Sequence, residues 1–311
     1  MEPSCPPINI NIGLLGHVDS GKTSLSRALS SISSTASFDR NPQSQQRGIT
    51  LDLGFSAFLA RKDNTNYQFT LVDCPGHASL IRTVLAGANI IDLMILVIDI
   101  NKGIQTQTAE CLVIGEILIP KMIVVLNKID LIKEEGKNLD NQNSQNSGNN
   151  LSENQQKIIE KKIEALRKVF SKTKFGSNVP IVPVAANMGE SASMGLQNLV
   201  DEILKTIDIP KRNNDGEFYF LIDHCFPIKG QGTVVTGTVI QGKVKNGDEV
   251  EFPQLNEKRK VKGIQMFKKP VEKAGQGDRI GMLFPGLDSD KVNKTNKIFF
   301  IFMQFRLKII L

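Results

Sequence analysis

Long apolar runs are missing from this 311-residue sequence. Nowhere do the ~20 consecutive apolar residues of a bilayer-spanning helix occur, so no spanning helix is expected. No leader is expected either. The opening MEPSCPPININIG has Glu2, no arginine and no apolar core behind a basic flank, unlike a secretory or transit peptide. A cytoplasmic protein without a membrane partner is the expectation. Cysteine is sparse: Cys5, Cys74, Cys111 and Cys225 form no CxxC pair, which excludes the usual zinc spacings and leaves reduced thiols as the expectation in a reducing cytosol. Histidine is scarcer still, at His17, His77 and His224 only, so imidazole chemistry is restricted to three positions.

What is present is an ordinary globular composition, 40% hydrophobic and 23% charged, in a chain long enough for about two domains. The formal charge of +6 favours a polyanionic partner, because clustered cations displace counterions from phosphates. Other acidic surfaces suit it equally.

Short apolar runs alternate with helical patterns through the first two thirds: INIGLL (10–15), FTLVD (69–73), LMILVID (93–99), MIVVLN (122–127) and VPIVPV (179–184). Near-continuous apolar character in short runs marks strands buried on both faces. This predicts an α/β domain over residues 1–206, a mostly parallel sheet with helices on both faces. One helix is predicted from Lys22 and another over 194–206. Between 138 and 156, 11 of 19 residues are Asn or Gln, too polar to bury enough surface to offset the entropy of ordering, so 137–156 reads as a disordered insertion.

Residues 207–216, rich in turn formers, read as a linker. From 217 to 296 the texture changes to EFYFLIDHCF, TVVTGTVIQGKV and DEVEF, β-prone runs split by KGQG and NGD, which predicts an antiparallel β-barrel. The apolar tail KIFFIFMQFRLKIIL (297–311) reads either as a last barrel strand or as an incomplete C-terminus, the second being preferred.

Three motifs carry chemistry. GHVDSGKT (16–23) satisfies GxxxxGK[ST] directly after a predicted strand and before a helix. Its glycines let backbone amides wrap a phosphate chain, Lys22 reaches the β- and γ-phosphates, and the Thr23 hydroxyl suits Mg²⁺. About 50 residues on, FTLVDCPGH puts Asp73 at a strand end facing the same crevice, where it holds Mg²⁺ through water, and Gly76 brings an amide to the terminal phosphate without a Cβ in the way. NKID (127–130) selects the base. The Asp130 carboxylate accepts from both the ring N–H and the amine of guanine, a donor pair that adenine lacks; Asn127 reaches the opposite edge and the Lys128 stem covers the base face. These residues predict GTP with Mg²⁺ over a P-loop kinase or ATPase.

GHVDSGKT, RGIT (47–50), DCPGH (73–77), NKID and VPVAA (182–186) resemble, in order and spacing, the five guanine-site motifs of translational GTPases of the elongation factor Tu class. The resemblance implies a P-loop GTPase domain followed by a barrel. Asp19, Ser20, Gly21, Lys22, Thr23 and Ser24 would line the phosphates. Thr50 would close over the nucleotide and bind Mg²⁺, His77 would orient the attacking water, and Val18 and Ile49 would form an apolar gate. Where the family usually shows SAL or SAK, this sequence has Ala185 and Ala186, whose backbone amides take over the base contact. His17 keeps a structural reading. No arginine finger in cis is evident, so hydrolysis is expected to be slow alone and stimulated by the ribosome.

FDRNPQSQQRGITLDLGFSAF (38–58), DCPGHASLIRTVLAGANIIDLMILVID (73–99) and IDHCFPIKGQGTVVTGTVIQGKV (222–244) look closely like the selenocysteine-specific elongation factors of eukaryotes and archaea. That likeness reaches about residue 285, the insertion apart. It implies selenocysteinyl-tRNA and the ribosome as partners, a protein bound to the selenocysteine insertion RNA element as a further one, and a monomer. It also implies a cargo pocket of Asp223, His224 and Arg279. A selenol is an anion at neutral pH, so a cationic pocket reads it better than it reads serine or cysteine. An Asp-His pair that is plain barrel structure stays open, as do a general or initiator-tRNA carrier and a shortened, non-catalytic GTP-binding module. The second barrel and C-terminal domain of such factors do not fit after residue 285, which implies a C-terminal truncation.

Overall fold

The computed structural model describes residues 7–30, 32–33, 54–74, 91–132, 152–186, 194–294 and 299–303. The first part of the chain runs β1 (Ile8–Leu15), α1 (Lys22–Leu29), β2 (Ile32–Ser33), β3 (Gly54–Lys62), β4 (Thr65–Asp73), β5 (Leu93–Asp99), α2 (Thr106–Leu118), β6 (Lys121–Asn127), α3 (Glu153–Phe170), β7 (Ile181–Val184) and α4 (Leu196–Thr206). These strands form one sheet in the order β2-β3-β4-β1-β5-β6-β7. From β4 to β7 every pairing is parallel; β2 and β3 add an antiparallel edge. Asp63 and Asn64, both with positive φ, make the two-residue hairpin between β3 and β4, the backbone that a right-twisted hairpin requires.

β5 shows why the apolar runs are continuous. Its even residues Met94, Leu96 and Ile98 enter one core with Cys111 and Ile114 of α2 and Ile159, Leu166 and Phe170 of α3. Its odd residues Leu93, Ile95 and Val97 enter the other, with Leu25 and Leu29 of α1 and Leu199 and Ile203 of α4. Each such side chain contributes ~1.5–3 kcal/mol by leaving water, so a strand with both faces apolar is stable only at the centre of a layered α/β domain.

One expectation needs correction, and an open one is resolved. The polar tract does not extend to residue 156 as a disordered insertion: Ser152 caps α3, its hydroxyl accepting from Gln155 N while the Gln155 side chain accepts from Ser152 N. That capping box satisfies helix-start donors, so polar composition here signals a helix terminus. Residues 137–151 lie outside the described residues. The apolar tail, in turn, supplies a barrel strand over Phe299–Met303, one of the two readings it allowed. β17 (Phe299–Met303) pairs antiparallel along Phe218–Ile222, because a run of β-prone residues beside an open strand edge completes its hydrogen bonds.

The second part comprises β8 (Phe218–Ile228), β9 (Gly232–Gln241), β10 (Lys243–Lys245), β11 (Glu249–Phe252), β12 (Glu257–Lys260), β13 (Gly263–Met266), β14 (Lys269–Val271), β15 (Lys273–Gly275), β16 (Arg279–Phe284), the short helix α5 (Ser289–Lys294) and β17. Its main sheet runs β12-β11-β17-β8-β9-β16-β13-β14, all antiparallel, with β10 and β15 as a separate pair. β11 and β16 are four strands apart, about 19 Å in a flat sheet. Yet the rings of Phe252 and Phe284 meet edge to face at 5.1 Å, so the sheet curls around one core.

The two parts are tied at the N-terminal edge of the α/β sheet. Linker residue Arg212 donates two hydrogen bonds to the Asp92 carboxylate, at 2.8 and 2.6 Å, and Asn9 and Asn11 both donate to Gly277 O. Gly277 has φ 86, and a Cβ there would lie 2.5 Å from the Arg212 guanidinium, so only glycine fits this turn.

Candidate functional site

All parallel strands point their C-terminal ends to one edge, and the phosphate loop, Asp73, NKID and VPVAA sit there. β1 runs into the glycine loop, β4 ends on Asp73, β5 on Asp99, β6 on Asn127, and β7 leads to Ala185 and Ala186. Gly21, with φ 93, turns the loop into α1, whose first turn holds no acidic residue and no side-chain cap. Its amides and helix dipole therefore favour an anion. Lys22 is buried, with Nζ donating to Gly16 O at 3.1 Å and His17 O at 2.8 Å. Burial lowers its pKa from the usual lysine value, against the opposing charge of Asp73. A buried cation aimed along the loop is well placed for phosphate oxygens.

Thr23 Oγ1 donates to Asp73 Oδ2 at 2.7 Å. A hydroxyl and a carboxylate side by side, both hard oxygen donors, fit a divalent cation such as Mg²⁺. Ser20 is buried beside them and Ser24 half-buried; Asp19, in left-handed backbone, is exposed. Val18 N donates to the Gln107 side chain at 3.1 Å, so the start of α2 steadies the loop at Val18, a contact with no signal in local spacing. His17 is half-buried, its Nδ1 has no hydrogen-bond partner among the described residues, and burial with nearby Lys22 and Lys102 lowers its pKa despite Asp19.

At the base side, Asp130 is exposed on a short turn anchored by buried Ile129, open to a ligand. Four neighbours have partners within the protein. Asn127 Nδ2 donates to Ser20 O at 2.9 Å and its Oδ1 accepts from Ala186 N at 3.2 Å, so both ends of its amide brace loops of the protein. The Ala186 amide is thereby engaged, and Ala185 N donates to Met194 O. These amides are drawn inward because three strand-end loops converge and each buried N–H needs an acceptor. Lys128, at φ 66, sends its ammonium to Asp99 Oδ2 at 2.9 Å, a partner the sequence reading missed. Ile49, Thr50, Gly76 and His77 lie outside the described residues.

The three barrel residues do meet. The register of β8 slips between Ile222 and His224, leaving Asp223 as the extra residue of a β-bulge. A bulge turns neighbouring side chains to one side. Asp223 accepts from both Arg279 nitrogens, from Thr236 Oγ1 at 2.7 Å, and lies 2.9 Å from His224 Nδ1. Burial resists its ionisation, but Arg279 and His224 overcome this and hold the carboxyl well below the usual carboxylate range. Arg279 is 4% exposed, and its guanidinium carbon lies 3.3 Å from the centre of the Phe55 ring on β3. Its charge is thus engaged by Asp223 and covered by the α/β domain, which leaves the His224 imidazole as the more exposed side chain of the trio.

Comparison with known proteins matches residues 8–208 to the family described as "Elongation factor Tu GTP binding domain" and residues 232–298 to "Elongation factor Tu domain 2". The "Selenocysteine-specific elongation factor" of Mus musculus is 50% identical over 294 residues, covering 90% of this chain and 47% of that protein. The protein of the same name from Methanocaldococcus jannaschii is 39% identical over 284 residues, 91% of this chain and 55% of the other. Among solved structures, a bacterial selenocysteine-specific elongation factor EF-Sec superposes with a TM-score of 0.74 at 30% identity, covering 94% of this chain and 44% of that one. Elongation factor SelB from Methanococcus maripaludis, in complex with the GTP analogue GppNHp, gives 0.71 at 35% identity, 96% and 56%. The chain therefore spans about half the length of these relatives.

Proposed function

The chain belongs to the family of the elongation factor Tu GTP-binding domain, and on that premise we propose that it binds and hydrolyses GTP to carry selenocysteinyl-tRNA to the ribosome. The observation that carries the nucleotide half is the convergence of Lys22, the Thr23–Asp73 pair and Asp130 at one sheet edge. The cargo half is supported by the Asp223–His224–Arg279 cluster and by the names of the relatives. We assign residues 1–206 to the nucleotide domain, 207–216 to the linker, and the remainder, β17 included, to the barrel. Among the described residues no helix is long and apolar enough to cross a membrane.

Hydrolysis of a phosphoanhydride by water needs positioning and charge stabilisation. The amides of residues 18–24 and the start of α1 hold the phosphate chain, Lys22 meets the charge that builds on the β- and γ-oxygens, and Asp130 selects guanine. Thr23 and Asp73, with Thr50, would hold Mg²⁺, which when bound neutralises phosphate charge. We assign His77 to orient the attacking water, Gly76 to the terminal phosphate, and Val18 and Ile49 to an apolar gate. His224, steadied by Asp223, faces the selenolate, and Arg279 joins it when Phe55 withdraws. The ribosome supplies the stimulus, and a protein bound to the selenocysteine insertion RNA element is a further partner of the same reading.

Equilibrium titration tests the base assignment. GTP is expected to bind at least a hundredfold tighter than ATP, and Asp130→Asn to transfer preference to xanthine nucleotides, whose exchanged donor and acceptor suit an amide. Equal binding of ATP would remove the guanine assignment. Single-turnover hydrolysis with ribosomes tests His77, where His77→Ala is expected to abolish the stimulation.

A further inference from the structure

Asp99 ends β5 directly opposite Asn127, the last residue of β6, and its side chain is 5% exposed. One oxygen, Oδ1, accepts from the backbone N–H groups of Asn101 and Lys102, at 2.9 and 3.3 Å, which shapes the turn after the strand. The other, Oδ2, takes the ammonium of Lys128 at 2.9 Å. Burial resists ionisation of this carboxyl, yet Lys128 and the two amides hold it below the usual carboxylate range. Lys128 itself has left-handed backbone, φ 66, which aims its side chain away from the strand direction. The stem passes the phosphate loop, since a Cβ on Gly21 would lie 4.0 Å from Lys128 Cε. The lysine is thus held at three places: by its backbone turn, by the glycine loop beside its stem, and by Asp99 at its tip.

We propose that Asp99 is a positioning residue for the nucleoside: it anchors the Lys128 ammonium so that the lysine stem stands as a preformed wall between the phosphate loop and the Asp130 turn. This rests on the guanine-nucleotide reading given above. A lysine stem has several rotatable bonds, and ordering it only when ligand arrives would weaken binding; an anchor present beforehand removes that loss. The anchored ammonium meets Asp99, whereas Lys22 Nζ meets the glycine-loop carbonyls and Thr23 meets Asp73. Asp99 therefore acts alike on nucleoside diphosphates and triphosphates.

Isothermal titration of the full chain with GDP and with a non-hydrolysable GTP analogue tests this in four proteins: the parent, Asp99→Asn, Lys128→Met and the double variant. Asparagine keeps an oxygen for the amides of residues 101 and 102 while removing the charge facing Lys128. Asp99→Asn is expected to weaken both ligands about tenfold in the parent and less than twofold in the Lys128→Met background. Unchanged affinity in Asp99→Asn overturns the inference. An equal loss in both backgrounds, including loss through misfolding, also overturns it, because Asp99 then acts through its turn alone. A parent that fails to bind GDP, or binds ATP as well, brings down the guanine reading first and this inference with it.

Discussion

Asn127 is buried at the end of β6, its amide nitrogen on Ser20 O and its amide oxygen on Ala186 N. Truncating it leaves a buried carbonyl and a buried N–H without their partner, at a cost of ~1–3 kcal/mol each. Asn127→Ala is accordingly expected to lower stability by about 2–4 kcal/mol, read as a shift in the urea midpoint, and to weaken GTP as the loops separate. Asp223 makes a pH prediction. Its folded pKa is depressed, so its contribution is complete above the unfolded value of ~3.9 and is lost as pH falls below that toward the folded value. Asp223→Asn should be less stable than the parent at pH 7 and should show a flatter loss between pH 5 and 3, measured as denaturant midpoints across that range. A variant that followed the parent's acid limb would remove Asp223 as its source. Lys22, Thr23, Asp73 and Asp130 were legible in the sequence because phosphate and base chemistry dictates both residue type and spacing. Asp99, Gln107 and Phe55 were not, since each acts across strands or domains on a residue far away in the chain.

Elements were legible where their pattern is periodic. The five buried strands of the α/β sheet announced themselves by apolar runs, and α1 by the motif before it. Two ends were not legible. Composition blurred the start of α3, where Ser152 and Gln155 form a capping box inside an Asn- and Gln-rich window. Ser152→Ala is expected to cost about 1 kcal/mol and to raise hydrogen-exchange rates of the first turn of α3 selectively. β17 stayed open between two readings for the opposite reason: its apolar run has no partner in local sequence, and only the open edges of β8 and β11 make it a strand. The bulge at Asp223 was equally invisible, because a slip in register belongs to a pair of strands.

Across the molecule, few polar contacts set how the barrel meets the α/β domain. The Arg212–Asp92 pair and the amides of Asn9 and Asn11 on Gly277 O form one cluster at the sheet's lower edge, while Arg279 stacked on Phe55 forms another on β3. Exposed ion pairs contribute little, but this one is bidentate, largely buried and joins two bodies. Arg212→Ala is expected to leave GDP affinity within about twofold while increasing the radius of gyration in solution scattering, as the linker gains freedom. An unchanged scattering curve would assign the interdomain geometry to the β3 contact instead.

Motifs whose chemistry is local, the phosphate loop, the strand-end carboxylate at Asp73 and the Asp130 turn, were determined by sequence alone, since a ligand imposes fixed residue types at fixed intervals. Tertiary structure alone decided that Asn127 and Ala186 brace loops, that Asp99 holds Lys128, that Asp223 stands on a bulge, and that Arg279 lies covered by Phe55. Each of those facts depends on which strands end side by side and how two domains face one another, and hydrogen bonds and ion pairs formed through space leave no period in the chain.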